Sequence, residues 1–291
     1  MIGVFLAVLG LLLGSFAGAS VWRLRARQLV EDEAAGEKVD ARELKRLRVL
    51  TQAKVQRDRS QCLSCRHQLA WYDLIPLVSW VMLRGRCRYC RTPIGWFEPA
   101  VELATAMFFV ISYVAWPADL TEPLVAVQFG LWLFAGVGLI ILFCYDAKWF
   151  LLPDKVVFPL VAVAALNAAL QVATSPDALG AIISVVGASA ILSGLYFVLY
   201  LISKGAWIGF GDIKLGLVLG LMLADWQLAL LALFLANIIG CLVVLPGMLS
   251  RRLSRYTHVP FGPMLIGGFW IAGLFGKGLI EWYLGISFAF V

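Results

Sequence analysis

Residues 124–146 read LVAVQFGLWLFAGVGLIILFCYD, an apolar run that carries no charged residue before its last position, Asp146. A run of about 20 apolar residues is long enough to cross a bilayer as a helix. A carboxylate in or beside hydrocarbon is costly to keep, so an acid at the end of such a run is by default a functional candidate. The stretch therefore predicts a membrane helix that ends at a functional acid.

Similar apolar runs recur along the chain, whose 291 residues are 62% hydrophobic and only 14% charged. The mean hydropathy is +0.88, and soluble domains carry roughly 25% charged residues. We therefore predict an all-α polytopic membrane protein with about eight transmembrane helices. The predicted spans are 2–21, 100–115, 124–144, 156–173, 179–202, 206–224, 227–245 and 261–280.

Basic residues are concentrated on one side of this predicted topology. Of the 24 lysines and arginines, 16 fall between residues 23 and 91. Later loops on the same side contain Lys148, Lys155, Lys204, Lys214, Arg251, Arg252 and Arg255. The positive-inside rule makes this side cytoplasmic and places the amino terminus outside. Anionic lipid is a predicted partner of this face. The positive charge is explained by topology, so a nucleic-acid partner is not predicted.

Three regions follow from this topology: a first transmembrane helix at 1–22, a cytoplasmic loop at 23–99 and a membrane-embedded domain at 100–291. The first helix is predicted to be retained, because no basic segment precedes it as in a signal peptide. Within the loop, Leu44, Leu47 and Leu50 have helical spacing. They indicate either an amphipathic helix on the membrane surface or a solvated linker.

Four cysteines of the loop form two CxxC pairs, Cys62 with Cys65 and Cys87 with Cys90. Two such pairs at this separation are typical of a zinc ribbon, in which four thiolates surround one tetrahedral ion. A reducing cytoplasm argues against two disulfides. Four unliganded thiols remain the alternative, and His67 is a further candidate ligand that a four-cysteine site does not need.

A second acid, Asp212, follows the glycines in Gly209-Phe210-Gly211-Asp212. The apolar run after it, 213–224, would form about 18 Å of helix, less than the roughly 30 Å of hydrocarbon. The span is therefore predicted to start near Ala206, which places Asp212 inside the membrane edge. Counting crossings places Asp146 on the same face at a comparable depth.

Two carboxylates at one depth can share a proton, so that the ionised acid activates water and the neutral acid protonates a leaving amine. Gly209 and Gly211 would allow close helix approach and irregular backbone beside an extended substrate. The structural alternative is that Asp212 is a helix-start acid and Asp146 an interface residue.

Two charged residues near this pair have structural interpretations. Lys214 does not share the helix face of Asp212, and it is interpreted as a membrane-interface anchor or a loose electrostatic partner. Asp154 follows Leu152-Pro153 and precedes an apolar run, which predicts a helix N-cap.

Together these strings resemble the type IV prepilin peptidases, which are bifunctional leader peptidases and N-methyltransferases. The resemblance covers nearly the whole chain and includes Gly14-Ser15-Phe16, both CxxC pairs, residues 71–77, residues 209–215 and Pro260-Phe261-Gly262-Pro263. It implies that Asp146 and Asp212 are the catalytic pair, supported by Gly209, Gly211, Lys214 and Glu102.

The resemblance also implies the reaction and its location. Prepilins or type II secretion pseudopilins would be cut after a glycine at the cytoplasmic face of the bacterial inner membrane, with the enzyme's amino terminus in the periplasm. The new amino terminus would then be methylated from S-adenosylmethionine. The second cofactor would be a zinc ion bound by the cysteine loop.

The chain departs from the family at Phe97-Glu98-Pro99, where Arg-Tyr-Pro is common. This departure concerns the region associated with methylation and leaves the aspartate motifs intact. Glu102, just inside the second span, would bind the substrate amine or assist methyl transfer. Its structural alternative is a helix-start carboxylate in the first turn.

Two other classes of protein are open. In an ion-coupled transporter, Asp146 and Asp212 would form a proton relay, but transporter acids usually gather near the bilayer midplane between internal repeats. These acids lie towards one face. In a membrane scaffold, the zinc unit would only recruit partners, and both aspartates would be replaceable.

Overall fold

The computed structural model describes residues 1–51, 59–250 and 259–289. In these ranges all regular structure is helical, apart from two isolated β-bridges, Gln61–Gln68 and Arg86–Pro93. The predicted all-α class is therefore confirmed. The basic loop predicted at Arg251, Arg252 and Arg255 lies outside the described residues.

The chain divides into two compact units, Met1–Tyr113 and Val114–Val291. The cysteine pairs and the first two predicted spans belong to the first unit, whereas Asp146 and Asp212 belong to the second. The division falls within the second predicted span, 100–115, close to its end.

The first unit contains α1 (Ile2–Ala34), α2 (Ala41–Leu47), α3 (Val78–Met82) and α4 (Phe97–Val114). Short 3₁₀ helices lie at Arg48–Thr51 and Trp71–Leu74. Helix α1 extends well beyond the predicted span 2–21, because residues 22–34 contain neither glycine nor proline to interrupt it. It ends just before Gly36, which has a left-handed φ of 80°.

The leucines at positions 44, 47 and 50 are buried in one cluster with Ala26 and Leu29 of α1. The helix predicted there exists as α2 and the following 3₁₀ turn. Its apolar side packs on α1, so residues 41–51 do not form a solvated linker.

Helices α1 and α4 approach each other closely at two glycines one turn apart. A Cβ atom added to Gly10 would lie 2.6 Å from Cα of Ala106, and one added to Gly14 would lie 2.6 Å from Cα of Glu102. Small residues permit this backbone contact between membrane helices. The contact places Glu102 beside α1.

The second unit contains α5 (Pro123–Trp149), α6 (Asp154–Thr174), α7 (Ala178–Ser189), α8 (Leu195–Ser203), α9 (Phe210–Leu223), α10 (Trp226–Leu249) and α11 (Gly262–Ala289). A π-helical turn, Ala190–Gly194, joins α7 to α8 without a break. Helix α9 contacts α6, α7, α8, α10 and α11 and is the central helix of this unit.

Seven helical segments in the described ranges are long and apolar enough to cross a membrane. The sixth predicted span, 206–224, is wrong in its start, since α9 begins at Phe210 and has 14 residues. At 1.5 Å per residue it measures about 21 Å. Lys204 and Gly205 take left-handed φ values of 52° and 80° and end α8, and residues 206–209 then complete the turn into α9.

The π-helical turn packs tightly against α9. A Cβ atom added to Gly216 would overlap the carbonyl oxygen of Leu192, and one added to Gly220 would lie 2.8 Å from Cα of Ser189. The Ser193 hydroxyl donates a hydrogen bond to the carbonyl oxygen of Ile213 at 2.9 Å. These contacts fix the end of α7 and the π-helical turn, a feature frequent at functional sites, along α9.

Candidate active site and metal centre

Asp146 lies in the last turn of α5 with 5% of its surface exposed. Its Oδ2 atom accepts a hydrogen bond from the backbone N–H of Gly262 at 3.1 Å. The helix ends at Phe150, which has a left-handed φ of 57° and donates its N–H to the carbonyl oxygen of Asp146. The predicted acid at the end of the apolar run is therefore buried and has a polar partner.

Gly262 is the first residue of α11 and a part of the site that sequence reasoning missed. A Cβ atom there would lie 2.7 Å from Oδ2 of Asp146 and 3.5 Å from Cδ2 of Leu215 in α9. Gly262 thus lies between the end of α5 and the first turns of α9. The signal was present, because a glycine followed by Pro263 can open a helix, and helix N-termini bind anions.

Asp212 lies in the first turn of α9, three residues after the N-cap Gly209. Its backbone N–H donates to the carbonyl oxygen of Gly209 at 3.1 Å. Its carboxylate interacts electrostatically with that of Asp146. The structure therefore brings together the two acids that the sequence singled out.

The two glycines of this motif have ordinary backbone angles, and the missing side chain matters at Gly211. Gly209 has φ −74° and ψ 148°, outside the left-handed region. A Cβ atom at Gly211 would lie 3.2 Å from Leu152, in the loop between α5 and α6. Gly211 thus allows that loop to approach the start of α9.

Lys214 forms an ion pair with Asp154, the first residue of α6. Its ammonium nitrogen also lies 5.4 Å from the ring centroid of Phe210. The prediction that Asp154 caps α6 is wrong, since Pro153 is the N-cap residue and the Asp154 carboxylate faces Lys214. The pair ties the start of α6 to the start of α9.

The four cysteines of the CxxC pairs form one cluster in the first unit. Their sulfur atoms all lie within 4.8 Å of one another, and Sγ of Cys62 is 3.8 Å from Sγ of Cys90. Zn–S bonds of about 2.3 Å in a tetrahedron separate the sulfurs by about 3.8 Å. The cluster therefore fits a metal ion of that kind.

The two knuckles have the same backbone design. The N–H of Cys62 donates to the carbonyl oxygen of His67 at 3.0 Å, and the N–H of Cys87 donates to that of Thr92 at 2.9 Å. The residue after each second cysteine has φ 60°. The His67 ring instead stacks on Tyr89 at a centroid distance of 3.6 Å, away from the four-sulfur group.

Polar contacts support the second knuckle. Hydrogen bonding with the hydroxyl and backbone of Thr92 lowers the pKa of Cys90 to about 6. Asp73 accepts hydrogen bonds from Arg88 Nε at 2.7 Å and from the Tyr89 hydroxyl at 3.0 Å. Burial raises the pKa of Asp73, but these bonds outweigh it and the net pKa is lowered. Asp73 therefore anchors the second knuckle as a carboxylate.

A cavity of about 280 Å³ lies in the first unit, beside the cysteine cluster. Its wall includes the rings of Trp22, Trp80 and Phe97 and the carboxylates of Glu98 and Glu102. Oε1 of Glu98 accepts a hydrogen bond from Nε1 of Trp22 at 3.0 Å. Oε2 of Glu98 is buried and has no partner among the described residues.

Glu102 is only 7% exposed, and its Oε2 accepts a hydrogen bond from the backbone N–H of Leu77 at 2.8 Å. The alternative that Glu102 is a first-turn acid is wrong, because α4 begins at Phe97 and its first-turn acid is Glu98. Glu102 thus holds the chain before α3 onto α4.

The fold and these two centres define a class: a helical membrane protein with a carboxylate pair in its second unit and a four-thiol metal-type cluster in its first. Residues 8–116 match the Bacterial Peptidase A24 N-terminal domain, and residues 133–245 match the Type IV leader peptidase family. The chain belongs to this family of leader peptidases.

Curated relatives agree with this family assignment over most of the chain. A prepilin leader peptidase/N-methyltransferase of Stutzerimonas stutzeri is 31% identical over 290 residues, covering 95% of this chain and 92% of the relative. The Pseudomonas aeruginosa protein of the same name is 31% identical over 277 residues, with coverages of 95% and 91%. A Bacillus subtilis protein of the same name is 32% identical over 235 residues, with coverages of 79% of this chain and 86% of the relative. No solved structure matches significantly.

Proposed function

We propose that this chain is a bifunctional prepilin-processing enzyme that uses Asp146 and Asp212 as its peptidase dyad. The observation that carries the proposal is the meeting of these two acids at the end of α5 and the start of α9. The family and the names of the relatives supply the substrate class, type IV prepilins or related pseudopilins.

The arrangement suits peptide hydrolysis by an acid and a base. One carboxylate accepts a proton from water as the water oxygen attacks the carbonyl carbon of the leader glycine. The other, protonated, carboxyl group gives its proton to the leaving amine as the C–N bond breaks. The Gly262 N–H orients the Asp146 carboxylate, and Gly211 lets the α5–α6 loop approach α9 beside the acids.

The transporter alternative receives no support from the family or from the relatives. The dyad also lies at helix ends, at the last turn of α5 and the first turn of α9. We place this end of the second unit at the cytoplasmic face of the inner membrane and the amino terminus in the periplasm, because the basic loops predict that orientation.

Zinc is the metal that we propose for the four cysteines. Four thiolates at mutual distances that suit a tetrahedron favour zinc over hard cations, which prefer oxygen ligands. Bound there, the ion would join the two knuckles and hold the segment between them. Its role in this proposal is structural, because all four ligand positions are supplied by protein.

S-adenosylmethionine is the methyl donor that we propose for the second activity, and the cavity beside the cysteine cluster fits it. When bound, it supplies an electrophilic methyl group attached to a positively charged sulfur. Aromatic faces and carboxylates bind such cations, and the wall offers both kinds of group. The volume is close to the lower end of the roughly 300–1,000 Å³ of small-molecule sites.

We assign Glu98, Trp22 and Arg46 to donor binding. The unpartnered Oε2 of Glu98 can accept a hydrogen bond or face a positive group, while its Oε1 is held by Trp22. The Arg46 guanidinium lies 6.0 Å from the Trp22 ring centroid and lines the same cavity, where it can bind the donor's carboxylate. In this proposal, Phe97 and Glu98 differ from the residues common in the family but still offer a surface that binds the methyl donor.

Mass spectrometry of a prepilin's amino terminus tests both activities at once. After incubation with the full-length protein and S-adenosylmethionine, the substrate should lose its leader and gain the mass of one methyl group. A substrate that keeps its leader would refute the peptidase assignment. A cleaved but unmethylated product would refute the methyltransferase assignment alone.

A further inference from the structure

The side chain of Tyr196, in the first turn of α8, is buried with 5% exposure. Its hydroxyl has no hydrogen-bond partner in the described part of the chain. Its ring contacts Phe261 edge-to-face at a centroid distance of 5.7 Å, and its hydroxyl interacts electrostatically with Asp212. No contact among the described residues explains why this position carries a hydroxyl.

A buried hydroxyl without a partner destabilises a protein by the cost of removing it from water. In a membrane protein the surrounding lipid offers no replacement partner. A phenylalanine would fill the same space without that cost. The hydroxyl therefore weakens the resting structure, as is common where a group is kept for activity.

Contacts on both sides place Tyr196 at the carboxylate pair. Three residues before it, Ser193 of the π-helical turn donates to the carbonyl oxygen of Ile213, which directly follows Asp212. On its other side, Phe261 precedes Gly262, whose N–H binds Asp146. Tyr196 thus lies between the start of α9, which carries Asp212, and the Phe261–Gly262 segment, which binds Asp146.

We infer that the Tyr196 hydroxyl is a further catalytic group of the peptidase, which donates a hydrogen bond to the carbonyl oxygen of the scissile bond. The inference rests on the proposed peptidase function. Negative charge develops on that oxygen when water attacks, and a donor already in place stabilises it more than it stabilises the substrate. The described part of the resting protein offers the hydroxyl no partner, because that partner arrives with the substrate.

The test is the steady-state kinetics of leader cleavage by the full-length Tyr196→Phe protein in detergent or liposomes. Loss of one such donor should lower kcat by roughly 10²-fold, with KM little changed. The melting temperature should stay the same or rise, because the buried unpaired hydroxyl is gone. Tyr200→Phe, which removes a hydroxyl one turn further along α8, is the matched control and should keep the wild-type kcat.

Unchanged kcat in Tyr196→Phe, or a fall only in proportion to a lost folded fraction, would overturn the inference and make the hydroxyl structural. Wild-type protein and Asp212→Asn are measured in parallel. If the wild type does not cleave, the proposed function fails. If the wild type cleaves and Tyr196→Phe cleaves equally well, only the role of Tyr196 fails.

Discussion

The backbone N–H of Gly262 donates a hydrogen bond to Oδ2 of Asp146 across 3.1 Å. The first residue of α11 therefore holds the carboxylate at the end of α5, although 116 positions separate the two residues. The contact depends on the absence of a side chain, since a Cβ atom at Gly262 would lie 2.7 Å from the same oxygen.

Gly262→Ala should strongly reduce leader cleavage. The added methyl group must displace the Asp146 carboxylate, and a misplacement of about 1 Å in a catalytic group costs on the order of 10²-fold in rate. Gel-shift kinetics on a prepilin measure the effect. Gly278→Ala in the same helix is the control, because a Cβ atom there meets nothing within 4 Å. Equal rates for the two variants would show that Gly262 does not position the acid.

Glu98→Gln should weaken S-adenosylmethionine binding while leaving leader cleavage intact. The substitution keeps an acceptor for Trp22 but removes the negative charge, and a charge-assisted hydrogen bond of about 1.5–3 kcal/mol corresponds to roughly tenfold or more in affinity. Isothermal titration calorimetry on the full-length protein gives the dissociation constant. Glu43→Gln, whose carboxylate pairs with Arg25 outside the cavity, should bind as the wild type does.

S-adenosylhomocysteine, which lacks the positive charge on sulfur, sharpens this measurement. Its binding should depend less on Glu98 than that of S-adenosylmethionine. Wild-type affinity of Glu98→Gln for S-adenosylmethionine would remove Glu98 from the donor site, without affecting the assignment of the methyltransferase activity itself.

Cys87→Ser should abolish stoichiometric zinc binding, because the three remaining thiolates leave the tetrahedral site open. Metal analysis of the purified protein by inductively coupled plasma mass spectrometry gives the metal content. Cys241→Ser is the control, since Cys241 is an exposed thiol of α10 outside the cluster. Full zinc content in Cys87→Ser would disprove the ligand set.

The Lys214–Asp154 pair should contribute little to stability. The Asp154 side chain is 53% exposed, and exposed ion pairs contribute about 0.2–1 kcal/mol. A double-mutant cycle with Lys214→Gln and Asp154→Asn, followed by chemical denaturation, isolates that coupling. A coupling well above this range would mean that the pair controls how α6 and α9 assemble.

The sequence predicted the features that depend on local composition. Apolar runs identify most of the membrane helices, because span length and hydropathy are properties of a segment alone. The spacing of the CxxC pairs likewise predicts a common cluster, since two adjacent knuckles can bring their thiols together. Asp146 and Asp212 were found because acids are rare beside hydrocarbon.

Features that depend on packing between distant segments could not be predicted in the same way. Gly262 reaches Asp146 only through the packing of α11, and the unpaired hydroxyl of Tyr196 emerges only in three dimensions. The start of α9 was misplaced because the prediction required a full bilayer crossing, whereas the left-handed turn at Lys204 and Gly205 ends α8 and α9 begins only at Phe210. The role of Asp154 was missed because its partner, Lys214, lies on another helix.

The central claim is that Asp146 and Asp212 together cut the leader peptide. Its most direct test is the initial rate of leader release by Asp146→Asn and by Asp212→Asn. Asp177→Asn is the matched control, because it replaces a helix-capping acid that is far from the dyad in sequence. Each dyad variant should lose cleavage while it keeps its zinc and its affinity for S-adenosylmethionine, and the control should cleave at the wild-type rate. Cleavage at the wild-type rate by either dyad variant would contradict the account.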